Sequence, residues 1–501
     1  MDTITIRQVV DLLEGHGLLV GFSCPEDRCD QPFTSLTFDS KQAVPGALFL
    51  CKGAAFKAQY LQEALDRGAG AYLSQQCYPV DPSVPYVLAT DIRKAMSLVA
   101  IAFYHRPFEA LTTVGITGTK GKTTTTYFMK NILDAHAGCR TAVLSTIDVY
   151  TGVEEHDSHL TTPESADLQK YLSQARDSHI PYLTMEVSSQ ATKLDRVYGM
   201  TFDCGMFLNI SEDHIGPTEH ADFEEYFSCK LKFLTLCRTA ILNRACDHFD
   251  RVLATARTHC SRVVTFGPEE TRDPADPDSY GLSDIVKEEE GFSFTVRACG
   301  YEQRFAISME GRFNCENALA ALATARTLGV GDEAIAQGLL RNAVRGRMNV
   351  LRRDGITVVV DYAHNHFSFS RLYQSLKADY PGHRIVAVFG CPGDHATQRR
   401  KELGTLAGQN ANYVYLTADD PCYCDPADIC REIASFIEPY GTPYEIIPDR
   451  AQAVETAIRS AQPGDVIILA AKGEEVYQRI RGQYVPYESD IAIARRLLHD
   501  C

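Results

Sequence analysis

Residues 111–138 read "LTTVGITGTKGKTTTTYFMKNILDAHAG", and this stretch decides the fold. An apolar, β-branched run gives way to glycines, then to Lys-Thr, then to a helical segment with a stop signal at Gly138. Strand, glycine loop and helix in that order make a phosphate-binding turn. Gly118 and Gly121 let backbone N–H groups face an anion, and the helix adds its positive N-terminal end. Lys122 brings a point charge, and Thr123 offers a hydroxyl to Mg²⁺. The general phosphate-loop pattern has another glycine where this chain has Ile116, so the match is to a shorter form, G-T-x-G-K-T. The bland alternative, a glycine-rich turn that binds nothing, leaves the ordered Lys-Thr and helix unexplained.

Outward from the loop, "ADLQKYLSQARDSH" reads as a helix and "IPYLTMEVSS" as a strand, the alternation of βαβ units in a parallel sheet. Glu186 in "MEVSS" and His214 in "NISEDH" each close a strand, which brings both to the sheet edge that carries the loop. Taken singly, Glu186 reads as a helix-capping acid and His214 as a satisfied core histidine. Together beside phosphates they suit Mg²⁺ ligation.

Upstream, the first 108 residues contain "SLTFDSKQAVPGALFLCKG" and "YLQEALDRGAGAYLS", short strands and a helix of a small α/β domain. Downstream of "VRGRMNVL" the chain is most regular: "ITVVVDYAHN", "RIVAVFGCPGD", "NYVYLTADDP" and "DVIILAAKGEE" are strand candidates separated by helical segments. Each ends in Gly, Asp, His or Lys, and open parallel sheets bind ligands at the carboxyl ends of their strands. The four polar ends therefore point to one crevice.

With 501 residues the chain needs about three cores of ~150 residues. Its net charge of −16, from 49 Lys+Arg against 65 Asp+Glu and with no basic patch, disfavours nucleic acid and anionic membrane as partners. No apolar run approaches the ~18 residues of a membrane helix, and "MDTITIRQVVDLLEG" is unlike a signal peptide, so a cytoplasmic location is expected. Seventeen irregularly spaced cysteines predict buried thiols rather than a disulfide framework.

The motifs "DSKQAVPGALF", "GTKGKTTT", "TTPES", "MEVSSQ", "NISEDH", "EEYFSCKLKFL", "GRFNCENALAA", "VRGRM", "DYAHN", "VFGCPGD", "DDP" and "AKGEEVYQ" run the length of the chain. In this order they resemble the Mur ligases, ATP-dependent amide-bond-forming enzymes of cell-wall synthesis, and among their branches the UDP-N-acetylmuramoyl-tripeptide synthetases. The resemblance implies an α/β fold of three domains: 1–108 for the UDP-sugar, 109–347 a central P-loop ATPase of mainly parallel sheet, and 348–501 a Rossmann-like amino-acid-binding domain. It implies phosphorylation of the carboxylate of UDP-MurNAc-dipeptide by ATP, then attack by the amine of a free amino acid on the acyl phosphate. Two Mg²⁺ ions and action as a monomer go with it.

By the same resemblance Lys122, Glu186, His214 and Lys230 are catalytic. Gly118, Thr119, Lys120, Gly121, Lys122, Thr123, Thr124, Asn317, Arg347, Asp361 and His364 meet ATP. Metal falls to Thr123, Glu186, His214 and Lys230, the last as a carbamate, since carbamoylation turns a cation into an anion. Ser40, Thr161, Thr162, Ser188 and Arg196 match positions that contact the UDP-sugar substrate. Three neighbouring positions depart from the family: Lys41 and Glu212 stand where Arg is usual, and Gln190 replaces His. Lysine cannot make the planar bidentate grip of a guanidinium.

For the amino acid, the resemblance implicates His395, Asp419, Asp420, Cys422 and Glu475. In the branch that takes meso-diaminopimelate, arginines occupy the places of Cys422 and His395 and grip the distal carboxylate. Their loss, with Asp420, Glu474 and Glu475 present, favours a side chain ending in a cation. L-Lysine is the expected substrate, with L-ornithine, meso-diaminopimelate or a specialised peptide acceptor as rivals. Two other readings are weighed, a folylpolyglutamate synthase-like ligase and a silent ATP-binding scaffold. Within "LTADDPCYCDP" (416–426), Asp425-Pro426 reads as a helix cap and first turn. A zinc site at Cys422, Cys424 and Cys430 with Cys391 lacks the C-x₂-C spacing of structural zinc.

Overall fold

A computed structural model describes residues 2–53, 56–158, 160–213, 215–216, 219–341, 344, 348–394 and 397–499. The chain forms two compact units, Met1–Gly281 with Ala320–Gly338, and Leu282–Leu319 with Leu339–Cys501.

The first unit opens on the helix Ile6–Gly15. Thr5 and Gln8 close a capping box at its start, and Ile6, Val9, Val10 and Leu13 form the buried stripe. That stripe covers a five-stranded sheet of β1 (Leu19–Ser23), β2 (Ser35–Thr37), β3 (Ala47–Leu50), β4 (Ala71–Ser74) and β5 (Tyr86–Ala89). Its order is β1-β5-β4-β3-β2, with only β1 antiparallel to its neighbour.

A larger sheet follows: β6 (Thr112–Thr117), β7 (Ala142–Leu144), β8 (Asp148–Tyr150), β9 (Glu155–Asp157), β10 (Tyr182–Glu186), β11 (Phe202–Phe207), β12 (Cys237–Asn243) and β13 (Arg262–Pro268). In this unit the strands run β13-β12-β11-β6-β10-β7-β8-β9, parallel except that β8 is antiparallel to both its neighbours. From β6 the chain passes through the helix Lys122–Ala137 to β7 on one side, and later from β10 to β11 on the other. Such a reversal of direction opens a crevice at the carboxyl ends of the strands. Pairing of Glu186 with Ile116 and of Phe207 with Thr117 sets three strand ends level with the glycine loop.

The strand β14 (Ser279–Lys287) carries the chain into the second unit, where β15 (Phe292–Ala298) and β16 (Tyr301–Ile307) pair antiparallel. Beyond them lies a six-stranded sheet of β17 (Asn349–Arg353), β18 (Ile356–Asp361), β19 (Arg384–Phe389), β20 (Tyr413–Leu416), β21 (Tyr444–Ile446) and β22 (Asp465–Ala470). Its order is β17-β18-β22-β19-β20-β21, and all but β17 run parallel. The four predicted strands are β18, β19, β20 and β22, neighbours whose polar ends share one edge. Both faces are covered. Val359, Ala387 and Ile468 pack under the helices His366–Asp379, Gln398–Asn410 and Pro426–Ile437. The alternate residues Val358, Val360 and Ile467 pack under Arg450–Arg459 and Asp490–His499. A hairpin of β23 (Tyr477–Ile480) and β24 (Gln483–Pro486) follows β22.

Candidate active site

In the first unit, Gly121 adopts φ +85° as it enters the helix Lys122–Ala137, a left-handed conformation that favours glycine. Lys122 folds back onto its own loop, its Nζ donating to the carbonyls of Gly118 (2.9 Å) and Thr119 (3.2 Å). Lys230, on the helix Phe223–Leu234, is buried and donates to the same Gly118 carbonyl at 2.9 Å. Two amines thus converge on one oxygen. Burial, then the charge of Lys122, pulls the Lys230 ammonium well below the usual lysine range. Lys120 pairs with Asp213 at 3.1 Å, and the Asn209 side chain brackets its backbone from both sides, at 2.9 and 3.0 Å. Thr119 meets the Tyr226 hydroxyl at 3.0 Å. Thr124 lies buried in the first turn of the helix.

The Thr123 hydroxyl donates to Glu186 Oε1 at 2.9 Å, and the same oxygen accepts Thr146 N at 2.8 Å. A hydroxyl and a carboxylate side by side at the first turn behind a phosphate loop are hard oxygen donors, the set that suits Mg²⁺. Lys230 as an ammonium does not fit a metal; only a sign-reversing modification would make it a ligand.

Beside Glu186 the Thr162 hydroxyl donates to the Glu186 carbonyl at 2.9 Å and accepts Ser188 N at 3.1 Å, while Ser188 caps the helix Ser189–Lys193. Thr161 accepts from Thr146 at 3.1 Å. Arg196 donates to the Thr162 carbonyl and to Glu164, both at 3.0 Å. Of the residues expected to meet the UDP-sugar substrate, Thr161, Thr162, Ser188 and Arg196 therefore share one hydrogen-bonded patch with Glu186. Ser40 takes no part in it: it is buried and donates to Glu63 at 2.9 Å.

In the second unit, Asp361 ends β18 and accepts Met348 N at 2.8 Å, and His364 Nδ1 lies 2.7 Å from the Tyr362 carbonyl. Asn317 donates to Asn314 at 2.9 Å. At the ends of β20 and β22 a buried lysine organises the acids. Lys472 Nζ donates to Asp420 Oδ1 (2.7 Å) and to Glu475, whose other oxygen takes the Tyr362 hydroxyl at 2.9 Å. Asp420, held at φ +46°, also accepts Arg479 N from the hairpin at 3.0 Å. Asp419 has no hydrogen-bond partner among the described residues, and burial pushes its carboxyl up against the pull of Arg450 and Lys472. The thiol of Cys422 is pushed up to about 11 by burial and by the Asp394 carboxylate. Asp425 caps the helix Pro426–Ile437, with Pro426 in its first turn, as expected.

His214, Arg347 and His395 lie outside the described residues. Among the described residues no group of three or more His, Cys, Asp or Glu side chains has metal-site geometry, the cysteines at 391, 422, 424 and 430 included. Every described cysteine is a free thiol, and no helix among the described residues is long and apolar enough to cross a membrane. Sequence reading missed Thr146, Asn209, Glu164 and Lys472. Only Lys472 carried a usable signal, a lysine directly after an apolar strand run.

Residues 116–325 match the model of the Mur ligase middle domain, and residues 346–473 that of the Mur ligase, glutamate ligase domain. A UDP-N-acetylmuramoyl-L-alanyl-D-glutamate–L-lysine ligase of Enterococcus faecalis is 37% identical over 512 residues, covering 99% of each chain. The protein of the same name from Streptococcus pyogenes serotype M3 is 40% identical over 497 residues, covering 98% of this chain and 96% of its own. Among solved structures, a UDP-N-acetylmuramoyl-L-alanyl-D-glutamate–2,6-diaminopimelate ligase shares the fold, with a TM-score of 0.68 at 24% identity over 99% of each chain. The chain belongs to the Mur ligase family.

Proposed function

We propose that the protein is an ATP-dependent ligase of peptidoglycan synthesis that joins L-lysine to UDP-MurNAc-L-Ala-D-Glu, releasing ADP and phosphate. Two full-length relatives carry the name of that reaction. The observation that carries the chemistry is the 2.9 Å contact of Thr123 with Glu186 at the end of a glycine loop already lined by Lys122. A carboxylate is a poor electrophile and a triphosphate repels it, so the work is charge neutralisation and alignment.

In this reading Gly118 to Thr124 and Lys122 cradle the triphosphate, with Asn317, Arg347, Asp361 and His364 as further nucleotide contacts. The acceptor carboxylate displaces ADP from the γ-phosphorus to give an acyl phosphate. The amine of lysine then adds to the acyl carbon, loses a proton and expels phosphate. Thr123, Glu186 and His214 would hold Mg²⁺, two ions in all, which supply positive charge between the anions. The lowered basicity of Lys230 supports carbamoylation there, because CO₂ adds only to an uncharged amine, which then sheds a proton. Ser40, Thr161, Thr162, Ser188 and Arg196 serve the UDP-sugar acceptor, and His395, Asp419, Asp420, Cys422 and Glu475 the amino acid. Boundaries at 108/109 and 347/348, a monomeric state and a cytoplasmic location complete the reading; the five-stranded sheet that ends at Ala89 and the six-stranded sheet that begins at Asn349 support the boundaries.

The acid-rich strand ends and Cys422 support lysine over meso-diaminopimelate, whose distal carboxylate would face Asp419 and find no guanidinium in the loop. Amino-acid-dependent ADP release, measured over L-lysine, L-ornithine and meso-diaminopimelate, is expected to be greatest with L-lysine. A marked preference for meso-diaminopimelate would overturn the amino-acid assignment.

A further inference from the structure

Next to the acid-rich strand ends of the second unit lies an ion pair closed off from water. Arg450 opens the helix Arg450–Arg459 and Asp490 the helix Asp490–His499, and both side chains are 0% exposed. The grip is bidentate: Arg450 Nε donates to Asp490 Oδ1 at 2.9 Å and Nη2 to Oδ2 at 2.6 Å, while the Tyr487 hydroxyl donates to the same Oδ1 at 2.7 Å. Further donors of the guanidinium turn to the backbone. Nη1 donates to the Ala418 carbonyl at 3.2 Å and Nη2 to the Ala470 carbonyl at 2.6 Å. Ala418 directly precedes Asp419 and Asp420, and Ala470 lies two residues before Lys472.

Stability alone does not account for so complete a burial. Well-packed apolar side chains in place of a buried ion pair are often neutral or stabilising. What they lack is a rigid planar fork of directed donors. Here the fork spans two strands that are not neighbours: β19 lies between β20 and β22, and the ladders that it makes with them end at Leu416 and Leu469, short of both carbonyls. One guanidinium thus fixes the distance between the segment of Asp419 and Asp420 and the segment of Lys472 and Glu475. It is also the foremost cation pulling on Asp419, ahead of Lys472. In the function proposed above these segments are the two sides of the amine pocket, and a pocket of fixed span tells L-lysine from L-ornithine, which is one methylene shorter. We propose that Arg450 is a positioning residue that sets this span, and through it the choice of lysine over shorter diamino acids; the assignment rests on that proposed function.

The test is the ratio of kcat/KM for L-lysine to that for L-ornithine, read by ADP release from the full-length protein with ATP, Mg²⁺ and UDP-MurNAc-L-Ala-D-Glu. Misfolded enzyme lowers both values alike, so a purely structural defect leaves the ratio where it was. One methylene in a pocket is worth roughly 10–200-fold, and the wild-type ratio is expected in that range. Arg450→Lys keeps the charge, but a single ammonium cannot hold both carbonyls and the carboxylate, and the ratio should fall at least about fivefold. Tyr487→Phe, which removes one donor from Asp490, should lower it at least about twofold, the scale of one net hydrogen bond. Thermal melting reports whether each variant keeps its fold; should Arg450→Lys fail to melt cooperatively, the milder variant decides alone. An unchanged ratio in a folded variant, with rates falling alike for both amino acids, would overturn the proposal and leave Arg450 to the fold. A wild type that does not prefer L-lysine to L-ornithine, or responds to neither, would overturn the amino-acid assignment and this inference with it.

Discussion

At the scale of single residues, neighbouring carboxylates have different duties. Asp420 and Glu475 spend their oxygens on Lys472, Arg479 N and the Tyr362 hydroxyl, whereas Asp419 keeps its own. In the proposed reading Asp419 is the group that receives an incoming ammonium. Asp419→Asn is expected to raise KM for L-lysine about tenfold or more, with a smaller effect on kcat. Burial raises the Asp419 carboxyl, and only its ionised form pairs with a cation, so wild-type KM should climb as pH falls through that raised value. The asparagine variant should lose this acid limb, and a limb that survives would assign the titration to another group. Lys230 gives the opposite case, a site residue that costs stability. With its folded-state pKa depressed by burial, the unfolded chain binds the extra proton between the folded value and the ordinary lysine value, so stability rises with pH across that window. Lys230→Met is expected to abolish ligation yet raise the melting temperature near neutral pH, the gain shrinking as pH approaches the ordinary lysine range. Calorimetry across pH checks this, and a variant less stable at neutral pH would refute it.

Between residue and molecule, the element that carries Lys230 depends on a glycine of β6. A Cβ at Gly115 of β6 would come within 2.7 Å of the Phe233 ring on the helix Phe223–Leu234. Gly115→Ala is accordingly expected to cost about 1–3 kcal/mol and to lower kcat by moving the helix, with Phe233→Leu restoring part of both. Denaturant midpoints and steady-state rates check it. Nothing in "TTVGIT" distinguishes Gly115 from a weak spot in a strand, because the partner that needs the space lies over a hundred residues away. The same reason divides what could be read from what could not. Long β-branched runs with polar ends made β18, β19, β20 and β22 legible, and Gly138 and Asp425-Pro426 made two helix ends legible. Strands of three residues such as β7, β8 and β21 are too short to show a period, and β23 and β24 alternate too weakly. Site residues that work locally, Gly118 to Thr124, were within reach of spacing rules. Glu164 was not, since its partner Arg93 is 71 residues distant, and for Lys472 the sequence shows only a lysine after an apolar run, not the Asp420 that it holds from 52 residues away.

For the whole molecule, the reading divides the chemistry: phosphate loop, Thr123, Glu186 and Lys230 belong to the first unit, and Asp419, Lys472 and Glu475 to the second. A chain of net charge −16 that must gather a triphosphate and a UDP-linked diacid can attract them only through local cations and backbone N–H groups. Ligand binding should therefore be separable by substitution. At 100 times its Kd, ATP with Mg²⁺ is expected to stabilise the wild-type fold by about 2.7 kcal/mol through mass action alone. Lys122→Met should remove most of that gain, because Lys122 opens the helix behind the glycine loop and donates to two of the loop's carbonyls. Asp419→Asn should keep it in full while losing the response to L-lysine, for in the proposed reading its carboxylate serves the amino acid alone. Thermal-shift titrations with each ligand on each variant decide the matter. Loss of the ATP response in Asp419→Asn would mean that the acid-rich strand ends take part in nucleotide binding, and their assignment to the amino acid would fall.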